Sequence, residues 1–226
     1  MAEAVIVGGT GLVGSRIVAA LLSSSTFNCV HAFTRRPLPV SSPKLSNIDN
    51  LDPVSWPSGF PSLSGQLAFF SGLGTTRAAA GGFANQRKID YELNLELAKA
   101  AKAAGIQTYV LISSAGSSSK SLTGYAKMKG ELEDAVKELG FEHCVILQPG
   151  LLMGKRDEMR IPELIAQKAA DFIGMFGKGW VESWAQDVGV IGRAAVRAAE
   201  ACVKGEKEKG VWVVGITEIN KLGKEE

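Results

Sequence analysis

The sequence holds little that would staple it, span a bilayer or charge it strongly. It has three cysteines, Cys29, Cys144 and Cys202, far apart and set among apolar residues. That pattern suits reduced core thiols rather than a disulfide framework or a zinc site, and implies a reducing compartment. The two histidines, His31 and His143, each sit in a strand-like stretch with no ligand partner nearby in sequence, so both read as structural and no metal is expected. Net charge is only +2 and the basic runs are pairs, Arg35 with Arg36 and Lys155 with Arg156. This excludes an extended electrostatic footprint for nucleic acid. No apolar stretch approaches the roughly 18 to 20 uninterrupted residues of a membrane-spanning helix. The first apolar run begins at Ala4, which leaves no space ahead of it for a signal or transit peptide. Membrane attachment, on this reading, is peripheral.

What is present is a globular composition, 46% hydrophobic and 21% charged over 226 residues, the size of one domain. Short apolar runs at Ala4–Val7, Cys29–Phe33, Gln66–Phe70, Tyr109–Ile112 and Cys144–Leu147 alternate with segments of helical period. That alternation predicts an α/β fold of Rossmann type: a doubly wound parallel sheet with helices on both faces, in a single domain spanning 1–226. One helical face runs through Leu93, Leu97, Ala100, Ala101 and Ala104, a second through Tyr125, Met128, Leu132, Val136 and Leu139, each at 3.6-residue spacing. A third strand at Leu45–Asp49 is expected inside a Ser-, Pro- and Gly-rich connection. A helix over Val188–Cys202 and a strand at Val211–Val214 close the chain, with a substrate-side segment at about 150–187.

The first strand runs directly into Gly8, Gly9, Thr10, Gly11, Leu12, Val13 and Gly14, and then into a helical pattern. GxxGxxG in this context is a dinucleotide cradle. Gly8 permits the turn, Gly11 lets the backbone approach a pyrophosphate, and Gly14 lets helix and strand pack closely, with the helix N-terminus facing the charge. The end of the second strand selects the cofactor, because NAD needs a carboxylate there and NADP needs cations for its 2′-phosphate. Here it reads Thr34, Arg35, Arg36, and two guanidiniums grip a phosphate in bidentate fashion. NADP(H) is the expected cofactor.

After the fifth strand come Ser113, Ser114, Ala115 and Gly116, and then Tyr125 and Lys129, four residues apart at a helix start. That spacing places both side chains on one helical face. A free phenol has a pKa near 10 and needs a neighbouring cation to ionise near neutrality, a role open to Lys129; Ser114 is placed to hold a substrate oxygen.

The order GGTGLVG, TRR, GLGTTR, SSAG, YAKMK and QPGLL over residues 8–152 resembles the atypical short-chain dehydrogenase/reductases. The runs TTRAAAGG (Thr75–Gly82), KIDYELNLELAKAAK from Lys88 and ISSAG are similar to the fungal mitochondrial-proteome family related to the human Tat-interacting oxidoreductase. The resemblance implies NADPH binding and peripheral association with the mitochondrial outer membrane on its cytosolic face. Carried over by motif, Thr10 to Val13 contact the cofactor phosphates, Arg35 and Arg36 the 2′-phosphate, and Leu73 and Gly74 the adenosine side. Leu152 falls in the loop after the sixth strand, and Arg160, eight residues further on, matches a cofactor-contacting arginine. One departure is Asp90, which stands where many reductases carry a relay asparagine.

The expected activity is hydride transfer to or from a carbonyl or alcohol carbon, with Tyr125 as acid/base, Lys129 beside it and Ser114 on the oxygen. The alternative is an NADPH-binding regulatory or scaffold protein without turnover. The small-molecule substrate and the oligomeric state are left open.

Overall fold

A computed structural model describes residues 2–61, 63–153 and 185–224. The opening apolar run is β1 (Ala2–Val7), followed by α1 (Leu12–Ser23), β2 (Phe27–Thr34) and β3 (Leu45–Asp49). A 3-10 turn at Pro53–Gly59 leads to β4 (Gln66–Ser71). Then come α2 (Phe83–Arg87), a π-helical stretch (Lys88–Leu93), α3 (Asn94–Ala103), β5 (Thr108–Ile112), α4 (Gly124–Glu138) and β6 (His143–Leu147). The short strands β7 (Leu151–Met153) and β8 (Ala185–Asp187) form a separate pair, and α5 (Val188–Val203), β9 (Gly210–Val214) and α6 (Ile216–Leu222) complete the described chain.

The main sheet is ordered β3-β2-β1-β4-β5-β6-β9, with every neighbouring pair parallel. Its central strands are apolar on both sides because both faces are covered. Ala4 and Ile6 of β1 point into a core shared with α1 and α5, while Val5 and Val7 join a second core shared with α3 and α4. In the second core Phe60, Phe69, Tyr109 and Phe141 stack in sequence, with ring centroids 5.8, 5.5 and 4.8 Å apart. The chain winds outward from β1 through β2 to β3, then returns to the other side of β1 with β4. Strand order therefore reverses at β1, and the crevice beyond the carboxyl ends of β1 and β4 is where this architecture binds ligands.

The third strand forms at Leu45–Asp49 as its sequence suggests. The helix after β4 differs from expectation. Its buried residues in α3 are Asn94, Leu97, Ala98 and Ala101, while Ala100 and Ala104 are half-buried. The π-helical stretch before α3 carries an extra residue in its turn, which rotates the stripe and turns Asp90 inward to 2% exposure. In α4, Met128, Leu132 and Val136 are core as expected, but Tyr125 in the first turn is 47% exposed. All three cysteines are free thiols; Cys144 and Cys202 are buried and Cys29 is half-buried.

Candidate active site

The glycine loop turns at Gly8, whose φ of +78° is open to glycine without strain, and whose added Cβ would lie 2.5 Å from the Gly72 backbone. A Cβ on Gly14 would lie 2.0 Å from the Gly8 carbonyl oxygen, so the first turn of α1 packs directly on the loop. Gly11 differs: its Cβ would meet only the Gly8 carbonyl oxygen, at 3.1 Å. Gly11 N–H donates to that oxygen at 2.9 Å. No side chain caps α1 and its first turn has no acidic residue, which leaves its positive end open to an anion. Thr10 is exposed, Leu12 half-buried, and Val13 is core at 6% exposure.

At the end of β2, Thr34 Oγ1 accepts the backbone N–H of Arg36 at 3.1 Å, fixing the turn that presents Arg35 and Arg36 to solvent. Among the described residues no carboxylate pairs with either guanidinium. The loop after β4 is held from the helix behind it. Asn94 donates to the Leu73 carbonyl at 3.4 Å and accepts from Ser71 Oγ at 2.7 Å. Asp90 accepts from the Thr75 N–H at 2.7 Å, and Gln86 donates to the Thr75 carbonyl at 3.0 Å. Leu73 and Gly74 thus lie on a loop pinned at both ends by buried polar side chains.

The two serines after β5 have different employment. Ser113 Oγ donates to the buried Glu133 carboxylate, which also accepts from Gln148 Nε2 at 2.9 and 3.0 Å. Among the described residues Ser114 Oγ has only a 3.5 Å contact with the next residue's carbonyl. Lys129 is buried at 4% exposure and donates from Nζ to the Ile112 carbonyl at 3.1 Å. Burial pulls its pKa down, opposed by the Asp90 and Glu133 carboxylates. Burial also raises the Asp90 pKa, with Lys129 and the Thr75 and Gln86 hydrogen bonds opposing. The Tyr125 phenol is pushed up to about 12, first by burial of its hydroxyl end and then by the Asp90 carboxylate. Here the arrangement departs from expectation: Lys129 does not depress the tyrosine. Its ammonium is committed to Ile112 and its field is offset by two carboxylates.

The structure therefore places Tyr125 and Lys129 within the field of Asp90, whose carboxylate also holds the Leu73–Thr75 loop, and puts Ser114 two residues beyond Ile112, whose carbonyl Lys129 holds. Leu152, in β7, instead packs as a half-buried residue against the core of α1 and α5. Arg160 lies outside the described residues, as does most of the 150–187 segment. Asp90, Asn94, Gln86, Glu133 and Gln186 carry the supporting hydrogen bonds. Gln186, 1% exposed, accepts from the Gly150 N–H at 2.9 Å and donates to the Ile216 carbonyl at 3.1 Å, holding the loop after β6. Their one signal in sequence is a polar residue inside an otherwise apolar helical or strand stripe. A cavity of about 780 Å³ opens between α1 and α5, lined among others by Arg16, Ser23, Asp187 and Glu200; none of the predicted site residues borders it.

The HIM1 family model matches residues 39–175. The chain is 45% identical to protein fmp52-1, mitochondrial, of Aspergillus terreus over 100% of both chains, and 44% identical to the mitochondrial protein fmp52 of Emericella nidulans, again over 100% of both. Among solved structures it resembles MoeE5 in complex with UDP-glucuronic acid and NAD, with a TM-score of 0.68 at 20% identity, covering 95% of this chain and 76% of that one. It also resembles the oxidoreductase ylbE of Lactococcus lactis, with a TM-score of 0.64 at 17% identity, covering 99% and 95%. At these identities the solved structures establish the fold.

Proposed function

The chain belongs to the HIM1 family and to that of the fmp52 mitochondrial proteins, and from that premise we propose that it is an NADPH-dependent oxidoreductase of the atypical short-chain dehydrogenase/reductase type. The observation that carries the reading is the buried Asp90 carboxylate, which acts on both Tyr125 and Lys129 while its bond to the Thr75 N–H holds the loop after β4. A dinucleotide fits the residues present: the start of α1 takes a pyrophosphate, the Thr10–Val13 backbone surrounds it, and Arg35 and Arg36, which pair with no carboxylate among the described residues, suit a 2′-phosphate. Structural neighbours support a nicotinamide dinucleotide, since MoeE5 and a UDP-glucuronic acid 4-epimerase of Bacillus cereus are complexes with NAD; the arginines are what favour NADP.

When bound, the cofactor supplies the hydride. The chain supplies the rest. Ser114 donates a hydrogen bond to the substrate oxygen, and Tyr125, protonated across the neutral range, delivers its proton to that oxygen in reduction or removes it in oxidation. Lys129 keeps the Asp90 carboxylate charged beside the phenol. Isothermal titration tests the cofactor assignment: NADPH binds tighter than NADH, and equal affinities would remove the role of the arginines. Turnover is tested by following NADPH oxidation over aldehydes, ketones and quinones.

A second reading is a binding module that responds to NADPH without turnover. It is favoured by the high Tyr125 pKa and by the engagement of Lys129 with the Ile112 carbonyl. A silent substrate panel together with tight NADPH binding selects it. The names of the relatives support a mitochondrial location, and the resemblance supports peripheral attachment to the cytosolic face of the outer membrane. Release from isolated mitochondria by carbonate washing is the expected result, and retention in the pellet contradicts it. No helix among the described residues is long and apolar enough to cross a membrane.

A further inference from the structure

At the end of the sheet opposite the glycine loop, three side chains from two strands converge. Glu3 on β1 is the register partner of Cys29 on β2, and His31 follows two residues later on the same face of β2. His31 Nε2 lies 3.0 Å from Glu3 Oε2 and 3.3 Å from Cys29 Sγ. All three ligand atoms lie within 4.8 Å of one another. Glu3 and His31 side chains are only 19% and 15% exposed, and the second carboxylate oxygen of Glu3 accepts from Ser64 Oγ at 3.2 Å.

We propose that Glu3, Cys29 and His31 form a binding site for a borderline-soft divalent cation, Zn²⁺ foremost, with the fourth position left to water. A tetrahedral Zn²⁺ with bonds of about 2.3 Å to sulfur and about 2.0 to 2.2 Å to nitrogen and oxygen separates S from N by about 3.6 Å and N from O by about 3.4 Å. The observed separations on the histidine nitrogen are 3.3 and 3.0 Å, within a few tenths of an ångström of these values, and the sulfur and the carboxylate oxygen lie within 4.8 Å of each other. Thiolate, imidazole and carboxylate together are a zinc donor set rather than a magnesium or calcium one.

Without a metal the cluster is poorly satisfied. A single ring nitrogen carries one proton or one lone pair, yet it faces both a carboxylate and a thiol. A thiol coordinated to such a cation is deprotonated outright. On binding, the S–H bond breaks, the sulfur lone pair goes to the metal and the proton goes to solvent. Ser64 then orients the carboxylate from behind, the usual outer partner of such a ligand. Lying at the amino ends of β1 and β2, away from Gly8 to Gly14, the ion would tie the two strands together and take no part in hydride transfer. Separation hid the site in sequence: Glu3 and His31 are 28 residues apart and meet only through strand pairing.

The test uses untagged full-length protein, stripped of metal and titrated with Zn²⁺ against a chromophoric chelator in weak buffer. A single equivalent binds with release of a proton. Co²⁺ in its place gives a near-ultraviolet thiolate charge-transfer band and the intense visible bands of tetrahedral cobalt. Cys29→Ser removes the charge-transfer band, and Cys29→Ser, His31→Gln and Glu3→Gln each weaken Zn²⁺ at least about tenfold, whereas Cys202→Ala changes neither readout. Absence of stoichiometric binding, a cobalt spectrum without the thiolate band, or affinity untouched by His31→Gln overturns the site. Should Cys29→Ser fail to fold, the wild-type cobalt spectrum and His31→Gln decide the question alone.

Discussion

The Asp90 carboxylate accepts the Thr75 N–H at 2.7 Å. That one bond joins the loop after β4 to the charges around the candidate catalytic residues, because the same carboxylate raises the pKa of Tyr125 and opposes the burial shift of Lys129. Asp90→Asn keeps an oxygen for Thr75 and removes the charge. Tyr125, at about 12, is protonated at neutral pH, so reduction is expected to be flat through neutrality and oxidation to rise with pH as phenolate forms. Removing the Asp90 charge lowers the phenol pKa, so the rising limb of the oxidative profile moves to lower pH while NADPH affinity stays within a few fold. A limb that stays in place in Asp90→Asn shows that the carboxylate does not act on Tyr125.

Arg35 and Arg36 make a separable claim on the cofactor. Neither pairs with a carboxylate among the described residues, so charge reversal at Arg35 breaks no ion pair among them. Arg35→Glu is expected to weaken NADPH by about 1.5 to 3 kcal/mol, the worth of a charge-assisted hydrogen bond, and to leave NADH nearly unchanged. Calorimetric titration of both dinucleotides reads the difference. A parallel loss of both affinities means that the arginine supports the loop rather than the phosphate.

The glycine loop separates into parts that hold the fold and a part that meets the ligand. Gly14→Ala drives a methyl to 2.0 Å from the Gly8 carbonyl oxygen, a backbone atom that cannot step aside. It is expected to cost about 1 to 3 kcal/mol or more of stability, as overpacking does. Gly11→Ala meets that oxygen at 3.1 Å, a contact that a small shift relieves. It should melt within a few degrees of wild type while losing most dinucleotide affinity, because its methyl covers the backbone that the phosphates approach. Thermal melts with and without NADPH check both.

The parallel, doubly wound sheet was legible because each central strand is a short apolar run followed by a helical stripe, and parallel strands buried on both faces need that pattern. Gly8 to Gly14, Ser114, Tyr125 and Lys129 were legible because their spacing places them at strand ends and on one helical face. Asp90 was visible as a departure, but its partners were not: its inward turn depends on the π-helical stretch, whose extra residue per turn no 3.6-residue count reveals. The work of Glu133 and Gln186 was hidden for a related reason. Each is a polar residue satisfied by partners 15 or more residues away, Gln148 for one and Gly150 with Ile216 for the other, and only the folded sheet brings them together.

Tyr125 and Lys129 share a helix yet should fail differently when changed. Tyr125 is half exposed and its ring makes no core contact that Phe would lose, so Tyr125→Phe is expected to keep NADPH affinity within a few fold and abolish reductase turnover, since the transferable proton is gone. Lys129 is buried between Asp90 and Glu133. Lys129→Met leaves those carboxylates without their cation, which raises the Asp90 pKa further and loosens its hold on Thr75 and so on the cofactor loop. Lys129→Met should therefore lose turnover and cofactor affinity together. Single-turnover kinetics beside calorimetric NADPH titration of the two variants separates these outcomes. Wild-type turnover in Tyr125→Phe would remove the acid/base role and leave the NADPH-binding module as the reading that stands.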